Sequence, residues 1–287
     1  MPNLKEIRSR ITSVGSTMQI TSAMKMVSAA KLKRAQDAIL QMRPYANKLT
    51  ELLESLSTSL DSSDGGAYSK KRIVKKVLLV TITSNRGLCG GFNASIIKKA
   101  KSLISTDYLN AKTEIMSIGK KSSEHFEKNG YTVVSKHDSL FGELTFDNVA
   151  LIAEDIMQKF VNEDYDKVIL VYNQFKNAAT QIVISENFLP VQTKNEQVKE
   201  PGDYIFEPTK TEIVQQLIPK SLKTQLFKAI LDSHASEHGA RMTAMHKATD
   251  NAGELKKDLT LSYNKARQAA ITGEILEIVG GAEALNG

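Results

Sequence analysis

Two stretches decide the fold: His238-Gly-Ala-Arg-Met-Thr-Ala-Met-His-Lys-Ala-Thr-Asp-Asn251, and beyond it Tyr263-Asn-Lys-Ala-Arg-Gln-Ala-Ala-Ile-Thr272. Both lie between about Lys220 and Leu285, a segment rich in helix formers with no proline after Pro219. A helix of roughly 60 residues, rising ~1.5 Å per residue, is about 90 Å long, wider than an ordinary domain. It cannot be buried in its own domain and needs a partner along its length. Phe227, Leu231, Met245, Ala248, Ala252, Leu255, Leu259, Ala266, Ala269 and Leu276 share one alternating three-and-four register. His234, His238, Arg241, Ser262 and Gly273 fill its other places. That spacing marks a supercoiled helix pair, and its alanines allow close approach. A long helix buried in a bundle would carry the same pattern.

The start of the chain supplies the partner. Leu4, Ile7, Ile11, Val14 and Met18, then Leu32, Ala35, Ile39, Met42, Ala46, Leu49, Leu53, Leu56 and Leu60, follow the same alternation. Thr21, Lys25 and Ser28 interrupt its apolar character, and Pro44 is expected to kink or perturb a turn. Around the interruption, Ile20, Ala23, Met24, Met26 and Val27 cover more than one face. An apolar collar awaiting a surrounding protein surface would produce this, and so would a local stutter in the coil.

Between the two helices the period changes. Asp61–Gly66 reads as a loop, then Val77–Thr83 as a strand, a glycine-rich turn Ser84–Asn93, and a helix to about Ile104. Strands at Glu114–Ile118, Tyr131–Val134, Val168–Tyr172 and Gln181–Ser185 alternate with helices at Ser122–Lys128 and Phe146–Val161. Strands alternating with helices give a mostly parallel sheet covered on both faces. The fold class is therefore α/β: a long antiparallel coiled coil of N- and C-terminal helices with an inserted Rossmann-like α/β domain. The expected divisions are an N-terminal coiled-coil helix over 1–60 and the α/β domain over 73–190. A connector follows over 191–208, then the C-terminal helix over 209–287.

Composition limits the function. No apolar run approaches the ~18 residues of a membrane span, and neither a secretory nor a transit signal opens the chain. A single cysteine, Cys89, forbids an internal disulfide. The net charge of +6 is uneven: residues 1–60 carry nine Lys/Arg against four Asp/Glu, 61–219 twenty of each, and 220–287 nine against eight. The excess on the first helix points to an acidic partner, or to a solvated basic face. Nucleic acid is disfavoured, because no stacking motif or zinc pattern accompanies the charge.

Enzymatic readings fare poorly. The turn after the first strand could aim backbone amides at phosphate. It lacks the Lys-Ser/Thr of a triphosphate loop and is not Gly-x-Gly-x-x-Gly; Gly87, Gly90 and Gly91 also suit a tight turn. His125, His137, His234, His238 and His246 show no metal spacing with Cys89, which reads as a buried thiol. No cofactor or catalytic residue is expected.

Several stretches carry a resemblance: Ile7–Ile11, Ile20-Thr-Ser-Ala-Met-Lys-Met-Val27, Arg86-Gly-Leu-Cys-Gly-Gly91, Ala235–Met242, Ala248-Thr-Asp-Asn251, Tyr263–Thr272 and Glu277-Ile-Val-Gly-Gly-Ala282. In these the chain resembles the gamma subunits of F-type ATP synthases over nearly its whole length. The resemblance implies a non-catalytic central-stalk rotor standing inside a hexamer of alpha and beta subunits, with its foot on the epsilon subunit and the c-ring. It would serve ATP synthesis and hydrogen ion transport as a peripheral protein, indirectly held at the cytoplasmic face of the bacterial inner membrane. Beta-subunit contacts are implied at Met24, Lys25, Lys31, Lys33, Arg34, Arg241, Arg267, Gln268 and Thr272. Contacts with the c-ring are implied at Tyr204, Phe206 and Glu207, where family members often have tyrosine in place of Phe206. The regulatory cysteine pair of chloroplast members is absent, so no thiol switch is implied. The residues near Met24 are expected to lie close to those near Arg267.

Overall fold

The computed structural model describes residues 3–57, 66–70, 72–191 and 210–286. The chain runs α1 (Leu4–Ser57), β1 (Lys76–Ile82), α2 (Phe92–Ser105), β2 (Lys112–Ile118), α3 (Lys120–Lys128), β3 (Val133–Lys136), α4 (Phe146–Val161), β4 (Lys167–Phe175), β5 (Gln181–Leu189) and α5 (Lys210–Asn286), with short 3-10 turns at Gly66–Tyr68 and Asp138–Gly142. Helix α5 has 77 residues and takes Pro219 into its interior, so it begins earlier than the last proline suggests. Helix α1 passes Pro44 without a break in its helical assignment. The expected loop at 61–66 falls almost wholly outside the described residues, as does the connector over 191–208, of which only Val191 is described.

The sheet has the order β3-β2-β1-β4-β5. β1 pairs parallel with β2 and β4, β2 parallel with β3, and β4 antiparallel with β5. Alternate residues of β1 serve opposite faces. Leu78, Val80 and Ile82 join Ile152, Ile156 and Phe160 of α4 and Leu222, Leu226 and Ile230 of α5. Val77 and Leu79 join Phe92, Ile96 and Leu103 of α2 and Phe126 of α3. A parallel strand covered on both faces must be apolar throughout, which is why Val77–Val80 reads as a continuous run. The turn from β2 into α3 needs glycine: Gly119 has φ +103, and a Cβ there would lie 2.1 Å from the Thr83 carbonyl oxygen.

The chain divides into two compact units, one of Met1–Ser28 with Met242–Gly287 and one of Ala29–Arg241. The first is a helix pair. A Cβ at Gly15 would meet Lys256, one at Gly253 would meet Met18, and the Thr21 and Thr249 hydroxyls are hydrogen-bonded at 2.8 Å. These contacts fix an antiparallel register in which Arg267 comes level with Leu4. Met24 and Arg267 are thus about 30 Å apart along the seam at ~1.5 Å per residue, and the expected proximity of their surroundings is wrong. Antiparallel pairing brings together residues counted inward from opposite ends; these two are counted from different places.

The seam also differs from its sequence reading on α5. Met245, Ala252, Leu259 and Ala266 face inward as assigned, but Thr249, Lys256 and Tyr263 share the inner face, while Leu255, Ser262, Ala269 and Leu276 are exposed. Choosing each step by apolarity picked the neighbour one position off. The half-buried Lys256 lies across the seam, its Nζ and Cε being the atoms a Cβ at Gly15 would meet, and a long stem of this kind can cover apolar surface.

Candidate functional site

In the second unit α5 is buried on more than one face. Beside Phe227, Leu231 and His238 of the sequence register, a second stripe of Ile218, Leu222, Leu226, Ala229 and Ile230 enters the sheet core. Further along, the helix crosses the carboxyl ends of the parallel strands. Ser233 Oγ donates to the Ile82 carbonyl at 3.2 Å and Ser236 Oγ to the Asn173 carbonyl at 3.0 Å. Gly239 lies so close to the loop after β4 that a Cβ would sit 3.1 Å from the Ala178 Cα.

Those carbonyls belong to β1 and β4, the neighbours between which the strand order reverses. In an open α/β sheet this switch point is the crevice that accepts dinucleotides. Here α5 occupies it. The glycine-rich turn is also oriented for a cation: Arg241 Nη2 donates to the Arg86 and Gly87 carbonyls at 2.9 and 3.2 Å. Its Nη1 reaches Glu237 at 2.6 Å. The Ser84 amide, one that a phosphate would need, already donates to Asn93 Oδ1 at 3.0 Å.

Cys89 is buried beneath this turn, where Asn93 Nδ2 donates to its sulfur at 3.2 Å and burial pushes the thiol above its ordinary pKa. A thiol so held is unreactive. His234 and His238 pack edge to face with their Nε2 atoms 3.1 Å apart. Burial, helped by the charges of Arg241 and Lys31, lowers them to about 4 and about 3, so both rings are neutral. Asp232 is buried with one carboxylate oxygen lacking a hydrogen-bond partner among the described residues, and burial raises it to about 6 despite Arg43 at 4.0 Å. Among the described residues no group of His, Cys, Asp or Glu is placed to hold a metal.

The residues implied as partner contacts are distributed accordingly. In the helix-pair unit Met24 and Lys25 are half-buried, while Arg267, Gln268 and Thr272 are exposed. The Thr272 hydroxyl donates back to the Gln268 carbonyl at 2.9 Å. In the sheet unit Lys31, Lys33 and Arg34 are exposed on α1. Arg241 differs from the rest: it is only 8% exposed and its guanidinium is engaged internally. Tyr204, Phe206 and Glu207 lie outside the described residues.

Around Met24 the seam keeps its register. Thr21 and Ser28 stay buried at interior positions, while Ile20, Met26 and Val27 are 57–62% exposed. The apolar collar is therefore an outward face and no stutter produces it. A second exposed apolar group went unread in the sequence: Ile271, Ile275, Leu276, Ile278 and Val279, on the part of α5 beyond the level of Leu4. Comparing the lengths of the two helices could have found it. No helix of the described residues is long and apolar enough to cross a membrane.

Comparison with known proteins agrees with this architecture. A family model described as ATP synthase matches residues 3–285. The ATP synthase gamma chain of Flavobacterium johnsoniae is 65% identical, covering 100% of both chains. That of Christiangramia forsetii is 61% identical over the same full coverage. Among solved structures, one described as the central stalk and c-ring of the Tetrahymena thermophila mitochondrial ATP synthase contains a chain 27% identical, with TM-score 0.60, covering 80% of this chain and 99% of that one. A chain of the Euglena gracilis mitochondrial ATP synthase rotor, 22% identical with TM-score 0.69 and coverage of 93% and 98%, shares the fold. The matches run through both terminal helices and the sheet between them, and the chain belongs to the ATP synthase gamma-chain family.

Proposed function

We infer that this chain is the central-stalk rotor of an F-type ATP synthase, itself non-catalytic, coupling ion flow through a c-ring to ATP synthesis or hydrolysis at beta-subunit sites. The observation that carries the reading is that the sheet's binding crevice is closed by the chain's own helix, while a helix pair presents apolar and basic side chains outward. Such a molecule is built for contact and not for chemistry.

Alpha and beta subunits would enclose the helix pair. Met24, Lys25, Lys31, Lys33 and Arg34 would meet an acidic beta-subunit loop, and Arg267, Gln268 and Thr272 a second contact well separated from the first. Tyr204, Phe206 and Glu207 would meet the c-ring beside the epsilon subunit. Attachment to the cytoplasmic face of a bacterial inner membrane would be indirect. Moving one charge through ~100 mV releases about 2.3 kcal/mol, so several ions per step deliver on the order of 10 kcal/mol. Because the two helices are unlike, the shaft is asymmetric. Each beta site would meet a different face of it and take a different affinity, which is coupling by differential contact.

The test is reconstitution. Silent alone, the chain should change the rate of ATP hydrolysis when mixed with alpha and beta subunits; an unchanged rate would refute the rotor reading. Met24→Lys adds a charge beside the expected acidic loop and should impair coupling more than assembly. Normal coupling in that variant would remove Met24 from the contact.

A further inference from the structure

We propose that Arg241 and the glycine-rich turn form the joint that fixes the rotational setting of α5 on the sheet, making Arg241 the positioning residue through which torque passes between sheet and helix. The proposal rests on the rotor reading and specifies where in the chain the load is carried.

The guanidinium bonds in two directions. Along its own helix it holds Glu237 at 2.6 Å, and across to the turn it holds the carbonyls of Arg86 and Gly87, with a further contact from Nε to Gly87 at 3.4 Å. The turn is itself held: Leu88 and Gly90 adopt φ of 62° and 58°, and Ser84 and Asn93 tie its two ends together. Ser233, Ser236 and Gly239 add three contacts to the carboxyl edge of the sheet within the two preceding turns of helix. Turning α5 by one residue, about 100°, or sliding it by ~1.5 Å would break all of these together. Helix α5 runs without interruption from Lys210 to Asn286, and the contacts at 233–241 are where it is held to the sheet. A lysine at 241 could keep the charge pairing with Glu237, but its single ammonium cannot reproduce a planar fork that spans both directions.

The experiment uses the assembled enzyme in sealed vesicles, reading ATP hydrolysis and ions pumped per ATP separately. Arg241→Lys should assemble and pump about threefold fewer ions per ATP hydrolysed than the parent, since the fork and not the charge is lost. A purely structural role would lower assembly or melting temperature without moving that ratio.

Normal pumping by Arg241→Lys, or a loss of assembly or melting temperature with no change in that ratio, would overturn the joint. If the parental chain itself supports no pumping, the rotor reading fails first. If it pumps and Arg241→Lys pumps equally well, the joint alone fails.

Discussion

Residues 218–241 and 245–284 belong to one helix, α5, yet they are held in different ways. The first stretch is buried by the sheet with large aliphatic side chains, Leu226 and Ile230 being 0% exposed, and is tied by side-chain bonds to strand ends. The second meets a single helix along a seam whose buried members are Met245 and Ala252, and further on its apolar residues are exposed. Burial of large apolar area sets stability, so the first stretch anchors the helix. Small inward residues keep the second thin and leave its outer faces for other proteins.

The largest expected effect breaks the anchor. Arg241→Ala leaves Glu237 buried without its cation and should cost about 3–5 kcal/mol, read by denaturant unfolding of the purified chain. A cost below about 1 kcal/mol would mean the pair is solvated and the contrast between the two stretches overstated. Leu226→Ala should cost about 2–5 kcal/mol by opening a cavity against β1 and α4. Leu255→Ala, 49% exposed, should stay within about 0.5 kcal/mol of the parent in the same measurement. Equal costs at the two leucines would restore the seam as first read from the sequence.

Acid should act through the anchor. His234 and His238 fall from 6.5 to about 4 and about 3 on folding, so the native state binds fewer protons than the unfolded chain below pH 6.5. Their contribution is fully present above that pH and is lost as pH falls through the window down to the folded values. Asp232 has the opposite sign, because its rise from 3.8 to about 6 stabilises the fold progressively as pH drops between those values, and the raised Glu237 acts in the same direction. Replacing both histidines with leucine should flatten the acid loss, and Asp232→Asn should steepen it, both followed as melting temperature against pH.

The smallest effects concern the seam and the tip. Thr21→Val removes the cross-seam partner of the Thr249 hydroxyl, which keeps its bond to the Met245 carbonyl, and should cost no more than about 1 kcal/mol, whereas Thr21→Val with Thr249→Val should be nearly neutral. Additive losses would show that the two hydroxyls do not act as a pair. Leu276→Glu, on a residue 66% exposed, should leave the isolated chain's stability within about 0.5 kcal/mol. An effect confined to assembly with partner subunits would show that this face is covered by another protein.

Much of this organisation was legible because period carries it. Alternating threes and fours gave both terminal helices, and a continuous apolar run gave β1. Interior Thr21 and Ser28 kept the register although they broke its hydropathy. The same rule failed at Leu255 and Ser262, where Lys256 and Tyr263 take the inner face: helix geometry sets the step, and a long side chain can lie along a seam without being apolar. The second stripe of α5 was hidden because a helix buried on two faces has no clean amphipathic period. Arg241 read as a place in the inward register and, through the resemblance, as a partner contact; nothing local to it announces the carbonyls of Arg86 and Gly87, which lie 155 and 154 positions earlier.

By itself, then, the sequence determined two long helices and a mostly parallel sheet inserted between them, all of which follow from spacing and residue type along the chain. Tertiary structure alone decided the pairing register, the exposed tip of α5, the filled crevice at the β1–β4 switch point and the burial of Arg241. Each of those depends on which distant segments meet, and the free energy of such meetings comes from area and geometry shared between segments, which neither segment carries alone.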